Sequence, residues 1–309
     1  MPAADYMDKQ VELKWQMRTV LMDWIIEVHA KFRLLPETLF IATNLIDRFL
    51  SHRVVSVEKI QLVGITALFV ASKYEEVMCP SIMHFLNMAD GGYDVNEMLK
   101  AERYLLQTLD FDMSYPNPLH FLRRISKADG YDIQTRTVSK YFIEIGCLES
   151  RLLAFTPSML AASAMYLARL CLERGEWVSP SLPATLYHPF PPRFIMDPID
   201  TSIIILPFTS PRSAQSLANN QTPNLVHYSN YSIPELLPAA QIMLDYILNP
   251  DFNPETVFHK KYASKKHMKS SIYVRHWALK NWPESADGTA ERGRELWDDY
   301  EETYGPLSR

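Results

Sequence analysis

Adjacent carboxylates and scattered histidines are the side chains of this sequence that could carry acid–base chemistry. Glu75 and Glu76 are neighbours, as are Asp298 and Asp299, and nine histidines are spread along the chain. Adjacent residues on a helix point in different directions, so we interpret each carboxylate pair as a solvated face. The glycine patterns of nucleotide-binding loops, the His-Glu motif of zinc peptidases and the serine motif of hydrolases are absent from the sequence. The sequence therefore predicts no catalytic residue, cofactor or metal site, and we do not expect an enzyme.

A run of cations at 259–271 could instead bind phosphate groups. It places Lys261, Lys265 and Lys269 at four-residue spacing, which predicts a helix with a basic stripe. The whole chain has a formal net charge of -5, so it has no general attraction to nucleic acid or to anionic membranes. We therefore favour a solvated helix face, and we expect neither a nucleic-acid nor a membrane partner.

Segments that direct a chain out of the cytosol are not evident in the sequence. The first thirty residues carry too many charges for a signal peptide, and no stretch reaches the roughly 20 apolar residues that span a bilayer. The cysteines Cys79, Cys147 and Cys171 are odd in number and lack the spacing of metal fingers. We expect an intracellular protein with reduced, buried thiols.

Apolar residues recur at three- and four-residue spacing through most of the chain, and glycine is scarce, with nine in total. This pattern predicts an all-α protein. The third predicted helix, VEKIQLVGITALFVASKYEE, follows the candidate N-cap Ser56 and is apolar almost all round, so we expect other helices to enclose it. Its Gly64, Ala67 and Ala71 allow neighbours to come close. The predicted helices of the first half cover about 11–34, 36–51, 57–76, 81–88 and 94–109.

Residues 156–173 repeat the character of the third helix. Thr156 is the expected N-cap, Pro157 takes the first helical position, and alanines follow. The sequence therefore predicts two helical bundles, each built around one apolar helix. The further predicted helices cover about 135–150, 232–249 and 254–280. The predicted domains are residues 1–112, residues 113–280 and a polar, acidic tail at 281–309.

Residues 178–221 depart from the helical pattern. They contain no glycine, only four charged side chains and eight prolines, so they cannot form a long helix. An irregular stretch of this length is unusual inside a compact domain. The codons of Val178-Ser179 and of Ala218 to Gln221 can match splice-site consensus sequences. Two interpretations stay open, a translated intron and a genuine lineage-specific loop.

Several long segments carry a resemblance to one family. MRTVLMDWIIEVH (17–29) and LVGITALFVASKYEE (62–76) closely resemble the two signatures of the cyclin box. YPNPLHFLRRISKADGYD (115–132), TPNLVHYSNYS (222–232) and KKYASKKHMKSSIYVRHWA (260–278) are similar to B-type, G2/mitotic cyclins of the fungal kind. The resemblance covers most of the chain outside 178–221 and the tail.

The resemblance implies two tandem cyclin boxes of five helices each, with an irregular insertion in the second. It also implies a regulatory subunit, in nucleus and cytoplasm, that binds and activates a mitotic cyclin-dependent serine/threonine kinase. Such a subunit docks substrates, controls the G2/M transition and contributes no catalytic group. Two other interpretations stay open. One is a transcription factor of the transcription factor IIB type that binds DNA and polymerase, and the other is an inactive product of a mis-spliced transcript.

Two residues match the pair with which the family holds the regulatory helix of the kinase. They are Lys73, at the end of the third predicted helix, and Glu102, in the fifth. An ammonium suits carbonyl oxygens at a helix C-terminus, and a carboxylate suits exposed N–H groups. The resemblance adds apolar support from Tyr74, Leu106 and Phe111. The alternative is that Lys73 and Glu102 simply pair with each other on the surface.

The family also carries a hydrophobic patch that docks Arg-x-Leu peptides of substrates and inhibitors. The matching residues of this chain are Met17, Val20, Leu21, Trp24, Glu27 and Gln61. An apolar groove beside one carboxylate suits such a peptide, because leucine fills the groove and arginine meets the acid. For each apolar residue the alternative is plain core packing.

Arg18 and Asp23 belong to the same signature, and we assign them a structural role. We predict that they form a buried ion pair inside the first box, because loss of either would leave an uncompensated charge. Substitution of either residue should then damage folding before it damages recognition.

Overall fold

The computed structural model describes residues 1–174 and 225–281, and every regular element within these two stretches is helical. The all-α prediction is therefore confirmed. The first bundle consists of α1 (Trp15–Phe32), α2 (Pro36–His52), α3 (Val57–Glu75), α4 (Ile82–Met88) and α5 (Val95–Thr108), after a short 3₁₀ helix at Tyr6–Lys9. The second consists of α6 (Pro118–Ile125), α7 (Ile133–Leu148), α8 (Pro157–Cys171), α9 (Leu225–Ser229), α10 (Ile233–Leu248), α11 (Val257–Ala263) and α12 (Ser270–Asn281). Further 3₁₀ helices lie at Ser150–Ala154 and Lys265–His267.

Helix α3 forms the centre of the first bundle. It packs against α1, α2 and α5, and its middle is buried on all sides, as its apolar composition predicts. Gly64 makes the contact with α1 possible, because a Cβ atom there would lie 2.9 Å from Cδ1 of Leu21. The N-terminus of α3 follows Ser56, but the side chain of Ser56 makes no capping hydrogen bond. The carboxylate of Glu12 accepts the N–H of Val57 instead, at 3.0 Å.

Helix α8 holds the same position in the second bundle. It packs against α6, α7 and α10, and its alanines at 161, 162, 164 and 168 are fully buried. The hydroxyl of Thr156 accepts the N–H of Met159 at 3.3 Å, and Pro157 is the first helical residue. The predicted cap and the predicted central helix are both confirmed.

The single helix expected at 254–280 is wrong. Helix α11 ends at Ala263, and Met268 and Lys269 have positive φ angles of 53° and 48° before α12 begins. The hydroxyl of Ser271 donates to the carbonyl of His259 at 3.0 Å, so α12 folds back onto α11 and both helices can bury their apolar faces. The basic stripe is wrong for the same reason: Lys261 pairs with the buried Glu144, and Lys269 is itself buried.

Candidate functional site: two surfaces for protein partners

Helix α1 connects the two bundles through Arg18. Its guanidinium donates from Nε and Nη2 to the two carboxylate oxygens of Asp47, at 2.7 and 2.8 Å. Its Nη1 donates to the carbonyl of Cys147, at the end of α7, at 2.9 Å. Both charged side chains are buried, and Asp47 also accepts the hydroxyl of Tyr6 at 2.8 Å. Burial alone lowers the pKa of Arg18, but the carboxylate of Asp47 outweighs it, so the net pKa is raised.

The ion pair expected between Arg18 and Asp23 is therefore wrong. Five residues of helix turn the chain by about 500°, so these two side chains leave α1 about 140° apart. Asp23 instead accepts the backbone N–H groups of Val257 and Phe258, at 3.1 and 2.9 Å, and so caps the N-terminus of α11. Both residues of the signature thus join the first bundle to the second.

The first candidate surface, the α3–α5 surface, contains Lys73, Tyr74, Glu102, Leu106 and Phe111. The ammonium of Lys73 donates to the carboxylate of Glu102, so the structure contains the pairing that the sequence left open as an alternative. The ammonium also lies 4.3 Å from the ring centroid of Phe69, a cation–π distance. Glu102 is buried, whereas the side chain of Lys73 is 41% exposed. One partner of the pair therefore faces solvent.

Apolar residues near this pair in the chain face solvent. Tyr74 and Phe111 are 58% and 65% exposed, and Leu106 is half-buried. Phe111 has a positive φ of 56°, and its N–H donates to the carbonyl of Leu106 at 2.9 Å, which holds the turn after α5. Val77 and Met78, which sequence reasoning missed, follow the end of α3 and are 100% and 87% exposed. Exposed apolar groups at this density indicate a protein-binding surface.

The second candidate surface is a groove of about 390 Å³ between α1 and α3, here named the α1–α3 groove. Its lining residues are Gln16, Met17, Val20, Leu21, Trp24, Val57, Ile60 and Gln61. The structure thus brings together five of the six residues predicted for the docking patch. Glu27 does not line the groove; it is exposed on α1, three residues beyond Trp24.

Exposure separates the apolar residues of the groove into two kinds. Val20 is 72% exposed, so core packing does not explain it, whereas Leu21 is 5% exposed and belongs to the core as well as to the groove floor. Met17 and Trp24 are half-buried. Sequence reasoning missed Val57 and Ile60, which lie on one face of α3 one turn apart and form the opposite wall. Both could have been predicted, because Gln61 of the same helix was already expected to lie at the patch.

Other cavities and clusters of the described residues offer no chemistry. A space of about 50 Å³ between the bundles is lined by Asn44, Tyr115 and Cys147 among others. Burial raises the pKa of the Cys147 thiol to about 12, which makes it a poor nucleophile. Within 1–174 and 225–281, no group of three or more His, Cys, Asp or Glu residues could hold a metal ion. None of the helices in those stretches has the length and apolarity to cross a membrane.

Two helical bundles, a charged pair with exposed apolar residues near it in the chain, and an open apolar groove are features of proteins that bind other proteins. Comparison with family models makes the class specific: the cyclin N-terminal domain matches residues 1–114, and the cyclin C-terminal domain matches 116–188 and 212–275. The chain belongs to the cyclin family. This confirms the resemblance and the fold of two cyclin domains that it implied.

Several fungal proteins are similar to this chain. G2/mitotic-specific cyclin cdc13 of Schizosaccharomyces pombe is 51% identical over 281 residues, 91% of this chain and 49% of that protein. G2/mitotic-specific cyclin-B of Emericella nidulans is 45% identical over 280 residues, again 91% and 49% of the two chains. G2/mitotic-specific cyclin-4 of Candida albicans is 41% identical over 276 residues, 89% and 48%. The chain thus spans about half the length of the curated relatives it matches.

Some predictions stay predictions. The insertion at 178–221 and the tail beyond Asn281 lie outside the described residues. The domain limits and the roles of the individual surface residues are likewise untested. The interpretation as a transcription factor of the IIB type is not favoured, because the relatives are mitotic cyclins and the basic helix stripe is absent from 259–271.

Proposed function

We propose that this chain is a regulatory subunit that binds and activates a mitotic cyclin-dependent serine/threonine kinase and so controls the G2/M transition. The observation that carries the proposal is the α3–α5 surface, where a half-exposed ion pair stands among solvent-facing apolar side chains. The cyclin supplies no catalytic group, and no nucleic acid or membrane takes part. It acts in nucleus and cytoplasm.

The Lys73–Glu102 pair is suited to exchanging its partners. Lys73 is 41% exposed, so its ammonium can turn to another partner, whereas the buried carboxylate of Glu102 needs a replacement donor when the pair opens. Once open, the ammonium can meet carbonyl oxygens at the end of a partner helix, and the carboxylate can meet free N–H groups. The exposed side chains of Tyr74, Phe111 and Val77 then become buried against the same partner. Burial of this apolar surface supplies most of the favourable free energy of binding.

Activation is a shift of populations in the kinase. By packing against a mobile helix of the kinase, the α3–α5 surface favours the arrangement in which a glutamate of that helix reaches the ATP-binding lysine. The free energy for this shift comes from the interface, because a ligand can move an equilibrium only by its differential affinity for the two states.

The α1–α3 groove serves a separate purpose in this proposal, the docking of Arg-x-Leu segments of substrates or inhibitors. Its apolar lining suits a leucine side chain, and the exposed carboxylate of Glu27 stands on the same helix for an arginine. Docking raises the local concentration of a substrate beside the kinase without adding a catalytic contact.

A kinase assay tests the main proposal. Purified protein is mixed with a mitotic cyclin-dependent kinase, histone phosphorylation is followed, and a Lys73→Ala/Glu102→Ala variant is compared with the native chain. The matched control is Lys59→Ala/Glu97→Ala, because this exposed pair also joins α3 to α5, with 3.5 Å between its charged atoms. We expect the first variant to lose at least tenfold of the activation and the control to keep it.

The same assay addresses the insertion and the possibility of an inactive product. If the native chain does not activate the kinase, a version lacking 178–221 is tested next. Failure of both versions, or equal activation by the native chain and the Lys73/Glu102 variant, would contradict the proposal.

A further inference from the structure

The carboxylate of Glu76 binds helix α2, although the sequence predicted a solvated face for the Glu75–Glu76 pair. Its Oε1 accepts the N–H of Leu35 at 2.7 Å and the hydroxyl of Thr38 at 2.5 Å. Leu35 occupies the N-cap position of α2, and its side chain makes no capping hydrogen bond. Glu76 therefore supplies an acceptor and a negative charge to the N-terminus of α2 from 41 residues further along the chain.

The same residue ends α3. The backbone N–H of Glu76 donates to the carbonyl of Ser72 at 3.0 Å, and its ψ angle of 143° turns the chain out of the helix. Three residues later, the thiol of Cys79 lies 3.0 Å from the hydroxyl of Ser72. Val77 and Met78 lie between these two contacts, so both ends of this short segment are fixed to α3.

Val77 and Met78 face solvent although the chain on both sides of them is held. They are 100% and 87% exposed. Lys73 and Tyr74 of the α3–α5 surface lie in the last turn of α3, immediately before this segment. Because the segment is already fixed, a partner that covers its side chains does not bear the entropic cost of ordering it. The segment thus extends the α3–α5 surface beyond the end of α3.

We propose that Glu76 is a positioning residue for kinase binding: by tying the end of α3 to the start of α2, its carboxylate holds Val77 and Met78 where the kinase covers them. This inference rests on the kinase-binding function proposed for the α3–α5 surface. It adds two apolar contact residues to that surface and one residue that acts only through them.

The size of the effect follows from the order that Glu76 imposes. Without its carboxylate the segment that it anchors gains backbone freedom, which the kinase must remove on binding. Fixing the backbone of one residue changes an equilibrium constant by roughly tenfold. We therefore expect Glu76→Ala to raise the concentration of this chain that gives half-maximal kinase activation about tenfold. The rate of the saturated complex should stay the same, because the bound arrangement does not change.

Titration of a mitotic cyclin-dependent kinase with the full chain, followed by histone phosphorylation, measures both quantities. Glu76→Gln keeps an acceptor oxygen for Leu35 and Thr38, so it should retain most of the native affinity. Thr38→Val removes only the hydroxyl donor and should raise the half-maximal concentration by a smaller factor, about threefold. This milder variant keeps the test decisive if Glu76→Ala does not fold.

The matched control for lost stability is Asp132→Ala in the second bundle. The carboxylate of Asp132 also accepts one N–H and one threonine hydroxyl, both from Thr135, at 3.1 and 2.5 Å. This variant therefore removes an equivalent cap, at the start of α7. It should leave the half-maximal concentration unchanged.

A double-mutant cycle separates positioning from a general loss of structure. Val77→Ser/Met78→Ser should by itself raise the half-maximal concentration about tenfold. Val54→Ser, at a 62% exposed apolar position after α2, should not. In the Val77→Ser/Met78→Ser background, Glu76→Ala should add less than about threefold, because the side chains that it positions no longer bind.

The outcomes separate the inference from the function on which it rests. Additive effects in the cycle, a slower saturated complex of Glu76→Ala, or an unchanged half-maximal concentration would overturn the inference. In each case the proposed function stands if Lys73→Ala/Glu102→Ala still loses activation. If neither the native chain nor the version lacking 178–221 activates the kinase, the proposed function fails, and the inference fails with it.

Discussion

Replacing Arg18 by leucine should destabilise the protein severely. The substitution leaves the buried carboxylate of Asp47 with the hydroxyl of Tyr6 as its remaining side-chain donor, and it removes the donor to the carbonyl of Cys147. Breaking a buried ion pair from one side costs about 3–5 kcal/mol, and an unsatisfied carbonyl adds about 1 kcal/mol. We therefore expect the free energy of unfolding to fall by about 4–6 kcal/mol, which is a large part of the stability of most domains.

Urea unfolding followed by circular dichroism at 222 nm measures this loss, and Tm should fall by about 10–20 °C. The control is Arg123→Leu, because Arg123 also links the bundles, through a 3.0 Å contact with Glu37, but its side chain is 60% exposed. This variant should lose at most about 1 kcal/mol.

A second substitution tests the cause of the loss. If the stranded charge dominates, Arg18→Leu/Asp47→Asn should be more stable than Arg18→Leu by about 2 kcal/mol, because the amide carries no charge. A loss no larger than that of the Arg123 control would refute the reasoning. So would a double variant that is less stable than the single one.

Three further predictions concern packing, capping and pH. Asp23→Ala removes the carboxylate that accepts the N–H groups of Val257 and Phe258, although the hydroxyl of the N-cap residue Thr256 still accepts the N–H of His259; it should lower the free energy of unfolding by about 1–2 kcal/mol in urea titrations, with Asp23→Asn losing less. Gly64→Val places methyl groups against Leu21, so it should cost about 1–3 kcal/mol in thermal unfolding and weaken peptide binding in the groove. Burial lowers the pKa of His259 from 6.5 to about 4, so the unfolded chain takes up the proton first as the pH falls. Stability should therefore drop between pH 6.5 and pH 4, by about 2 kcal/mol at pH 5, and His259→Gln should flatten that slope.

The sequence correctly predicted those helices whose local signals, such as capping residues, agree with their position in the core. Helix α3 has a composition that fits only an enclosed position, and α8 adds a threonine cap and a proline at its start. Helix α6 was missed although Asn117 and Pro118 form a similar start, because eight residues are too few for a clear apolar period. The break at 264–269 was missed because α11 and α12 keep the same apolar spacing, and only tertiary contacts such as the Ser271 hydroxyl to the His259 carbonyl separate them.

The two candidate surfaces were predicted only in part, because some of their features depend on which helices meet in the fold. The family resemblance placed Met17, Val20 and Trp24 at the groove, and their spacing agrees with one face of α1. The partner of a charged residue depends on which helices meet, and for Arg18 the partner lies on α2, outside any local pattern. The exposure of Val77 and Met78 was also not predictable from residue type, because apolar residues at a helix end are as often buried.

Helix α1 joins the two bundles and also lines the α1–α3 groove. Arg18 and Asp23 bind the second bundle, Leu21 packs against α3, and Val20 faces the groove, all within six consecutive residues. A rigid helix transmits a change at one face to the others, so a shift of the second bundle would move the wall of the groove. Variants that weaken the contact between the bundles, such as Asp23→Ala, should therefore change peptide affinity without touching a lining residue. If peptide affinity stays unchanged in a folded Asp23→Ala protein, the groove is set by α3 and by Gly64 alone.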